Sequence, residues 1–564
     1  MSRVLEDALA AAWTLRRKPL ESFLLPQAAI GGGLLACADG SLVSLFRIDG
    51  ARSMTGAGEL ERFVEVACRR LNSRFAEPGH ALHLMLERAP DEAVPQVERV
   101  HARAGRQAAR LGLDLEDVLT ERSRRLAPLL AAETMTLACW TRPACLTAAE
   151  ARRGRKRLRA RLKEWLPAPG DAQCPHAVLD GMEARHRALM DTLGALLEET
   201  GIVAGRLEDE AALRTVRVLV NGSDTTAPDW RPVTAANVGE TPRHAPARAT
   251  EPPETGAFPP PLAPQILVRD PVRMGSGVRV GRRLYGALDM VLGPRTPRPF
   301  AELMEGLADA GLPCRFSILI EGGGLRRLGA AAANAAAAFL AFSHPDSRAV
   351  RDAMRALAEQ DATSRAVVRL RLGMLTWVDR AVPTDRGDPL DRGVPPGRGD
   401  PPCSEEDELA RRLGRLQQVA EGWGECVFSP LVGDPLEAFA ASVPGFCCGG
   451  TAEPALAPLS EALRLLPWDR PAPLARRAVN HMFRAPDGRT MPFSCEEGED
   501  HGFELIHGIP GRGKSVLMNS LTLAHVLQSG QARLPLAATI DIRPSSARLL
   551  SLIREALPPE RRAQ

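Results

Sequence analysis

Gly508-Ile-Pro-Gly-Arg-Gly-Lys-Ser515 is the stretch whose residue types and spacing could do chemistry in this 564-residue chain. It fits the pattern G-x-x-x-x-G-K-[ST], the phosphate-binding loop of nucleotide-binding proteins. Glycines let successive backbone N–H groups converge on phosphate oxygens where side chains would collide. Gly508, Ile509, Pro510, Gly511, Arg512, Gly513, Lys514, Ser515 and Val516 are therefore the candidate nucleotide-binding residues. Lys514 is expected to reach the β- and γ-phosphates, and the Ser515 hydroxyl to ligate Mg²⁺. The helix starting at the loop would aim its positive dipole end at the same anion. ATP with Mg²⁺ is the expected ligand. Only four of the 72 basic residues are lysines, so a chance lysine at this position is rare.

The elements that must position such a loop are a strand before it and a helix after it. Phe503 to Ile506 reads as a short apolar strand, and Lys514 to Gln528 as a mostly apolar helix ended by Gly530. A second strand is expected from Leu536 to Ile542, followed by a helix from Ala547 to Leu557. Asp541, near the tip of that strand, is the second candidate catalytic residue beside Lys514, because parallel strands end at the same edge. A helix-capping or solvated aspartate is the alternative role for it. Metal-assisted hydrolysis needs a further apolar strand ending in Asp. None follows within the 50 residues after Lys514, so the ATPase domain is expected to be incomplete.

Upstream, the pattern is α+β. Leu34 to Cys37 and Leu42 to Phe46 flank an Asp39-Gly40 turn and predict a hairpin. Helices are expected at Glu59 to Leu71, residues 95–130 and 147–166, with strands at Ala81 to Leu86 and Thr134 to Trp140. Further on, Arg279 to Met290 and Cys314 to Ile320 read as strands, and Asp346 to Leu372 and Glu405 to Ala420 as helices. Pro228 to Pro264 holds ten prolines, and Pro383 to Pro402 repeats an Arg-Gly-Asp-Pro theme; both read as extended or disordered linkers. The fold class is thus an α+β N-terminal region followed by the start of an α/β P-loop NTPase (RecA-like) domain. The expected segments are 1–225, a linker at 226–264, 265–382, a low-complexity insert at 383–404, a connecting helical segment at 405–475, and the P-loop segment at 476–564.

Composition narrows the classes. A net charge of +3 gives no global pull toward nucleic acid, and the Met and aromatic residues, Tyr285 the one tyrosine, form no stacking platform for bases. Direct nucleic-acid binding is not expected. Arg152 to Lys163 carries eight basic residues in twelve and reads as a solvated helix face, with acidic lipid or nucleic acid as the alternative partner. Eleven cysteines without Cys-x-x-Cys spacing suit reduced thiols rather than zinc. No run reaches the ~18–20 apolar residues that span a bilayer. Leu328 to Phe342 comes nearest and reads as a buried helix.

Gly508-Ile-Pro-Gly-Arg-Gly-Lys-Ser-Val-Leu-Met-Asn-Ser520, followed by Ile540-Asp-Ile-Arg-Pro-Ser-Ser546, resembles the IcmB/DotO family. This is the type IVB (Dot/Icm) branch of the VirB/TraC-like type IV secretion ATPases. Leu466-Pro-Trp-Asp-Arg-Pro471, Phe483-Arg-Ala-Pro-Asp-Gly488 and Val443-Pro-Gly445 are similar to that family's approach to its ATPase domain. The resemblance implies an ATPase on the cytoplasmic side, peripheral to the inner membrane. It also implies homo-oligomers and partners among the other subunits of a secretion or conjugation complex. Asp541 matches the family's second acidic motif, while Arg543 departs from it. A non-enzymatic docking module with a vestigial nucleotide site is the competing expectation, and an unrelated P-loop motor acting on DNA a third.

Overall fold

The computed structural model describes residues 18–562 apart from 54–55, 164–170, 176, 223–225, 228, 235–257, 295–297, 325–358, 360–365, 381–403, 432, 474–478, 480, 495–504 and 541–544. The chain forms two compact units. One comprises residues 1–87, 134–303 and 314–471; the other comprises 88–133, 304–313 and 472–564.

A thirteen-stranded sheet organises the first unit, which is mixed α+β. Its strands are β1 (Pro26–Ala29), β2 (Leu35–Cys37), β3 (Leu42–Ala51), β4 (His80–Ala89), β5 (Ala132–Thr141), β6 (Ile202–Arg206) and β7 (Val272–Met274). They continue with β8 (Gly277–Val280), β9 (Arg283–Leu292), β10 (Cys314–Glu321), β11 (Val367–Asp379), β12 (Val427–Pro430) and β13 (Ala455–Pro458). Their spatial order is β1-β2-β3-β5-β4-β10-β11-β9-β8-β7, with β6 on β3, β12 on β9 and β13 on β11.

The expected Asp-Gly hairpin joins β2 to β3, pairing Leu35 with Val43 in antiparallel register. The Asp39 carboxylate accepts from the Ser41 N–H at 3.0 Å and its hydroxyl at 2.8 Å, and Gly40 takes φ +78°. The helix Ala57–Phe75 buries Phe63, Ala67, Leu71 and Phe75, one residue per turn on one face. The helix Glu405–Gly422 lies on β9 and β11. It comes so close that a Cβ on Gly286 would stand 2.8 Å from the Leu413 Cδ1, so a larger residue there would push that leucine tip aside. Arg315, 1% exposed, is the most deeply buried arginine among the described residues; Glu87 at 2.6 Å, the Leu219 carbonyl and the Ser442 hydroxyl pair it.

Several expectations change. Arg279 to Met290 is a hairpin rather than one strand: β8 and β9 turn through Gly281-Arg282, with Gly281 at φ +60°. The expected helix Asp346 to Leu372 ends as strand. Val367 opens β11, where Val-Val-Arg-Leu-Arg-Leu alternates at period two and β10 lies alongside with Glu321 opposite Arg369. Most of that expected helix, all of Leu328 to Phe342 and all of Pro383 to Pro402 lie outside the described residues. Both described ends of the proline-rich segment Pro228 to Pro264 are built into the core. The Gln173 amide donates to the carbonyls of Val233 at 2.6 Å and Pro260 at 2.8 Å, and buried Trp230 lies 4.5 Å from the Arg217 guanidinium. Proline removes a donor but leaves a carbonyl, and glutamine side chains use those carbonyls here. The basic run forms the helix Ala148–Lys163, with Arg152, Arg153, Arg155, Lys156, Arg157 and Arg159 exposed. Ala151 and Leu158 turn to the apolar core around Leu34 and Met182.

The second unit is mainly helical. The helices Ala93–Leu111, Glu116–Leu126, Lys514–Val526 and Ala547–Ala556 accompany a hairpin of β14 (His481–Arg484) and β15 (Thr490–Phe493). Its core joins Ala104, Ala108, Leu111 and Leu119 to Leu523, Val526, Leu527, Leu549 and Leu557. The two strands expected around the loop are absent from the described residues. Leu505 and Ile506 form no strand, Phe503 lies outside the described residues, and Leu536 and Ile540 are fully exposed without sheet partners. A strand requires a neighbour to take its N–H and C=O groups, and the unit's described strands β14 and β15 pair with each other.

Candidate functional site

The loop is built by two left-handed glycines and one lysine. Gly511 at φ +80° and Gly513 at φ +84° adopt a conformation that L side chains rarely take. A Cβ on either would meet nothing within 4 Å, so backbone conformation rather than crowding selects glycine. Lys514 opens its helix and folds back. Its ammonium donates to the carbonyls of Gly508 at 2.8 Å and Ile509 at 3.0 Å. The Leu517 N–H donates to the Gly513 carbonyl at 2.9 Å and starts the helical ladder. The N–H groups of Lys514, Ser515 and Val516 occupy the first turn, where no carbonyl lies one turn back.

Gly508 through Gly513 are exposed, as are Ser515 and Val516, while Lys514 is half-buried. Ile509 and Val516 are 70% and 73% exposed, so the loop's side chains add no apolar cover to its backbone. No Asp or Glu occurs from Leu505 to Ile540, whereas Arg512, Lys514 and Arg533 do, so the local field favours an anion. First-turn amides, an anchored ammonium and an acid-free surround fit a polyphosphate. Ser515, next to Lys514, is exposed to solvent. Asp541 lies outside the described residues.

Two contacts on the loop's helix escape sequence reading. The Asn519 amide donates to the Ser545 carbonyl at 3.0 Å, tying this helix to the turn before Ala547–Ala556. Arg122 approaches both ring nitrogens of His481, at 2.8 and 2.6 Å, and the Ser520 hydroxyl at 3.4 Å. Burial, then the Arg122 charge and His101, push the His481 imidazole down to about 3, so it is neutral at physiological pH. Asn519 and Ser520 sit within the recognisable motif, but their partners come from elsewhere in the chain. A local pattern carries no signal for them.

The chain matches no known protein family and no curated protein. No helix among the described residues is long and apolar enough to cross a membrane.

Proposed function

We propose that this chain binds ATP with Mg²⁺ at Gly508–Ser515 and serves as the nucleotide-binding component of a type IVB secretion or conjugation machine. The observation that carries the reading is the loop itself: left-handed Gly511 and Gly513, the Lys514 ammonium folded onto it, and a helix beginning at the lysine. Lys514 holds the β- and γ-phosphates, Ser515 holds Mg²⁺, and the amides of Gly513 to Val516 surround the oxygens. The P-loop NTPase domain, the position on the cytoplasmic side of the inner membrane, the homo-oligomer and the partner subunits belong to the same reading and rest on the sequence resemblance.

One observation favours a docking role with a vestigial site. No carboxylate lies from Leu505 to Ile540, and residues 534–540 form no strand to deliver one. ATP binding with slow hydrolysis is the expected behaviour. Charge-assisted hydrogen bonds contribute about 1.5–3 kcal/mol, so Lys514→Ala should weaken Mg-ATP binding roughly 10- to 100-fold in a titration with labelled nucleotide. Equal retention of ATP by wild type and variant would reject the nucleotide reading and leave the docking module.

A further inference from the structure

At one end of the first unit's sheet, a single buried carboxylate is shared by three arginines. Glu321 closes β10 and is 3% exposed. Arg369 is its cross-strand neighbour on β11, and Arg371, two residues on, shares that face. Arg142, just past β5, is anchored by its own N–H on the Gly79 carbonyl. Arg142 Nη1 stands 2.5 Å from Glu321 Oε1, Arg369 Nη2 stands 3.3 Å from the same oxygen, and Arg371 Nη1 lies 2.8 Å from Oε2.

The charges do not balance. Glu321 offsets one of three cations. Asp39, the next acid acting on Arg142, offsets at most a second. The cluster therefore keeps net positive charge above a desolvated floor. Its arginine side chains are 34%, 29% and 22% exposed, so solvent reaches them. Arg369 Nε is buried without a hydrogen-bond partner. Cations in excess of the carboxylates beside them leave charge that a bound anion would balance.

We propose that Arg142, Arg369 and Arg371 form a binding site for a small phosphoryl oxyanion, with Glu321 holding the guanidinium groups in position. Planar guanidinium forks match phosphate oxygens pairwise. Arg371 also lines a cavity with Gly449, Gly450 and Asp289. The Asp289 carboxylate opposes an anion there, which places the phosphoryl group on the Arg142 and Arg369 side. This site is independent of the nucleotide loop.

Calorimetric titration of the full chain carrying Lys514→Ala, with inorganic phosphate at fixed ionic strength, tests it. Phosphatidic-acid vesicles form a second arm that separates a lipid headgroup from free phosphate. Saturable binding is expected in one arm, weakened at least tenfold by Arg369→Gln and about threefold by Arg142→Lys, which keeps the charge and removes the fork. Should Arg369→Gln fail to fold by circular dichroism, the partly exposed Arg142 variant decides. No saturable binding in either arm, or binding indifferent to Arg142→Lys, overturns the site.

Discussion

Thr141 offers its one hydroxyl to two imidazoles, His80 Nδ1 at 3.2 Å and His186 Nδ1 at 2.9 Å. Ser44 donates its proton to the Gly33 carbonyl at 2.7 Å, so its oxygen accepts from His186 Nε2 at 3.1 Å. His186 thus carries a proton on Nε2, and where burial keeps the ring neutral its Nδ1 accepts from Thr141. Burial lowers His80 and His83 to about 4 and His186 to about 3. The sign follows from linkage. Below the ordinary value near 6.5 the unfolded chain takes up protons that the native imidazoles refuse, so stability falls as pH drops from 6.5 toward 4. Each histidine adds up to about 1.4 kcal/mol per pH unit. Urea midpoints measured between pH 7 and 4.5 should decline, with a shallower slope in His186→Gln. A flat profile would refute this account of the network. At the same scale, the nucleotide loop is legible because its chemistry lies within eight consecutive residues. The Glu321 cluster is not, because Arg142 and Arg369 become neighbours only through the sheet.

Among the elements, the helix Glu405–Gly422 has a start written in its sequence. The Ser404 hydroxyl accepts the Asp407 N–H at 3.1 Å, while the Asp407 carboxylate accepts from the Ser404 N–H at 3.3 Å and hydroxyl at 2.7 Å. Glu405 and Glu406 add negative charge to the first turn. Ser404→Ala should cost about 1 kcal/mol in a urea titration. No loss would show that packing of Leu409 and Leu416 alone fixes this end. Elements with local signals of this kind were readable: the Asp39-Gly40 hairpin, the helix at Ala57–Phe75, and strands β4 and β5. Two of the misreadings share one cause. Val367 to Leu372 contains leucine and arginine, which suit helix as well as strand, and the neighbouring β10 decides. Leu536 to Ile542 has the apolar content of a strand, yet its described residues lack a partner, and propensity without a partner makes no sheet.

For the whole molecule, the consequence lies in how the second unit is assembled from separated segments. Leu111 and Leu119 meet Leu523, Leu527, Leu549 and Leu557 across more than 400 residues of chain. The contact is also hydrogen-bonded. The Asp114 N–H donates to the Ala556 carbonyl at 2.9 Å, Arg561 to the Leu111 carbonyl at 2.9 Å, and the Gln107 amide to the Gln531 carbonyl at 2.8 Å. Local periodicity marks each helix as amphipathic but does not say which face it meets, so this pairing was not legible in sequence. Burying each leucine contributes roughly 1.5–3 kcal/mol, and a domain's whole stability is about 5–15 kcal/mol. A fragment of residues 472–564, which carries the nucleotide loop, therefore exposes more apolar surface than it can tolerate alone. Its far-ultraviolet circular dichroism should show little helix and no cooperative melt. Co-expression with residues 88–133 should restore helicity and, with it, the helix that begins at Lys514. A cooperative melt of residues 472–564 by themselves would show that this core closes without the helices Ala93–Leu111 and Glu116–Leu126.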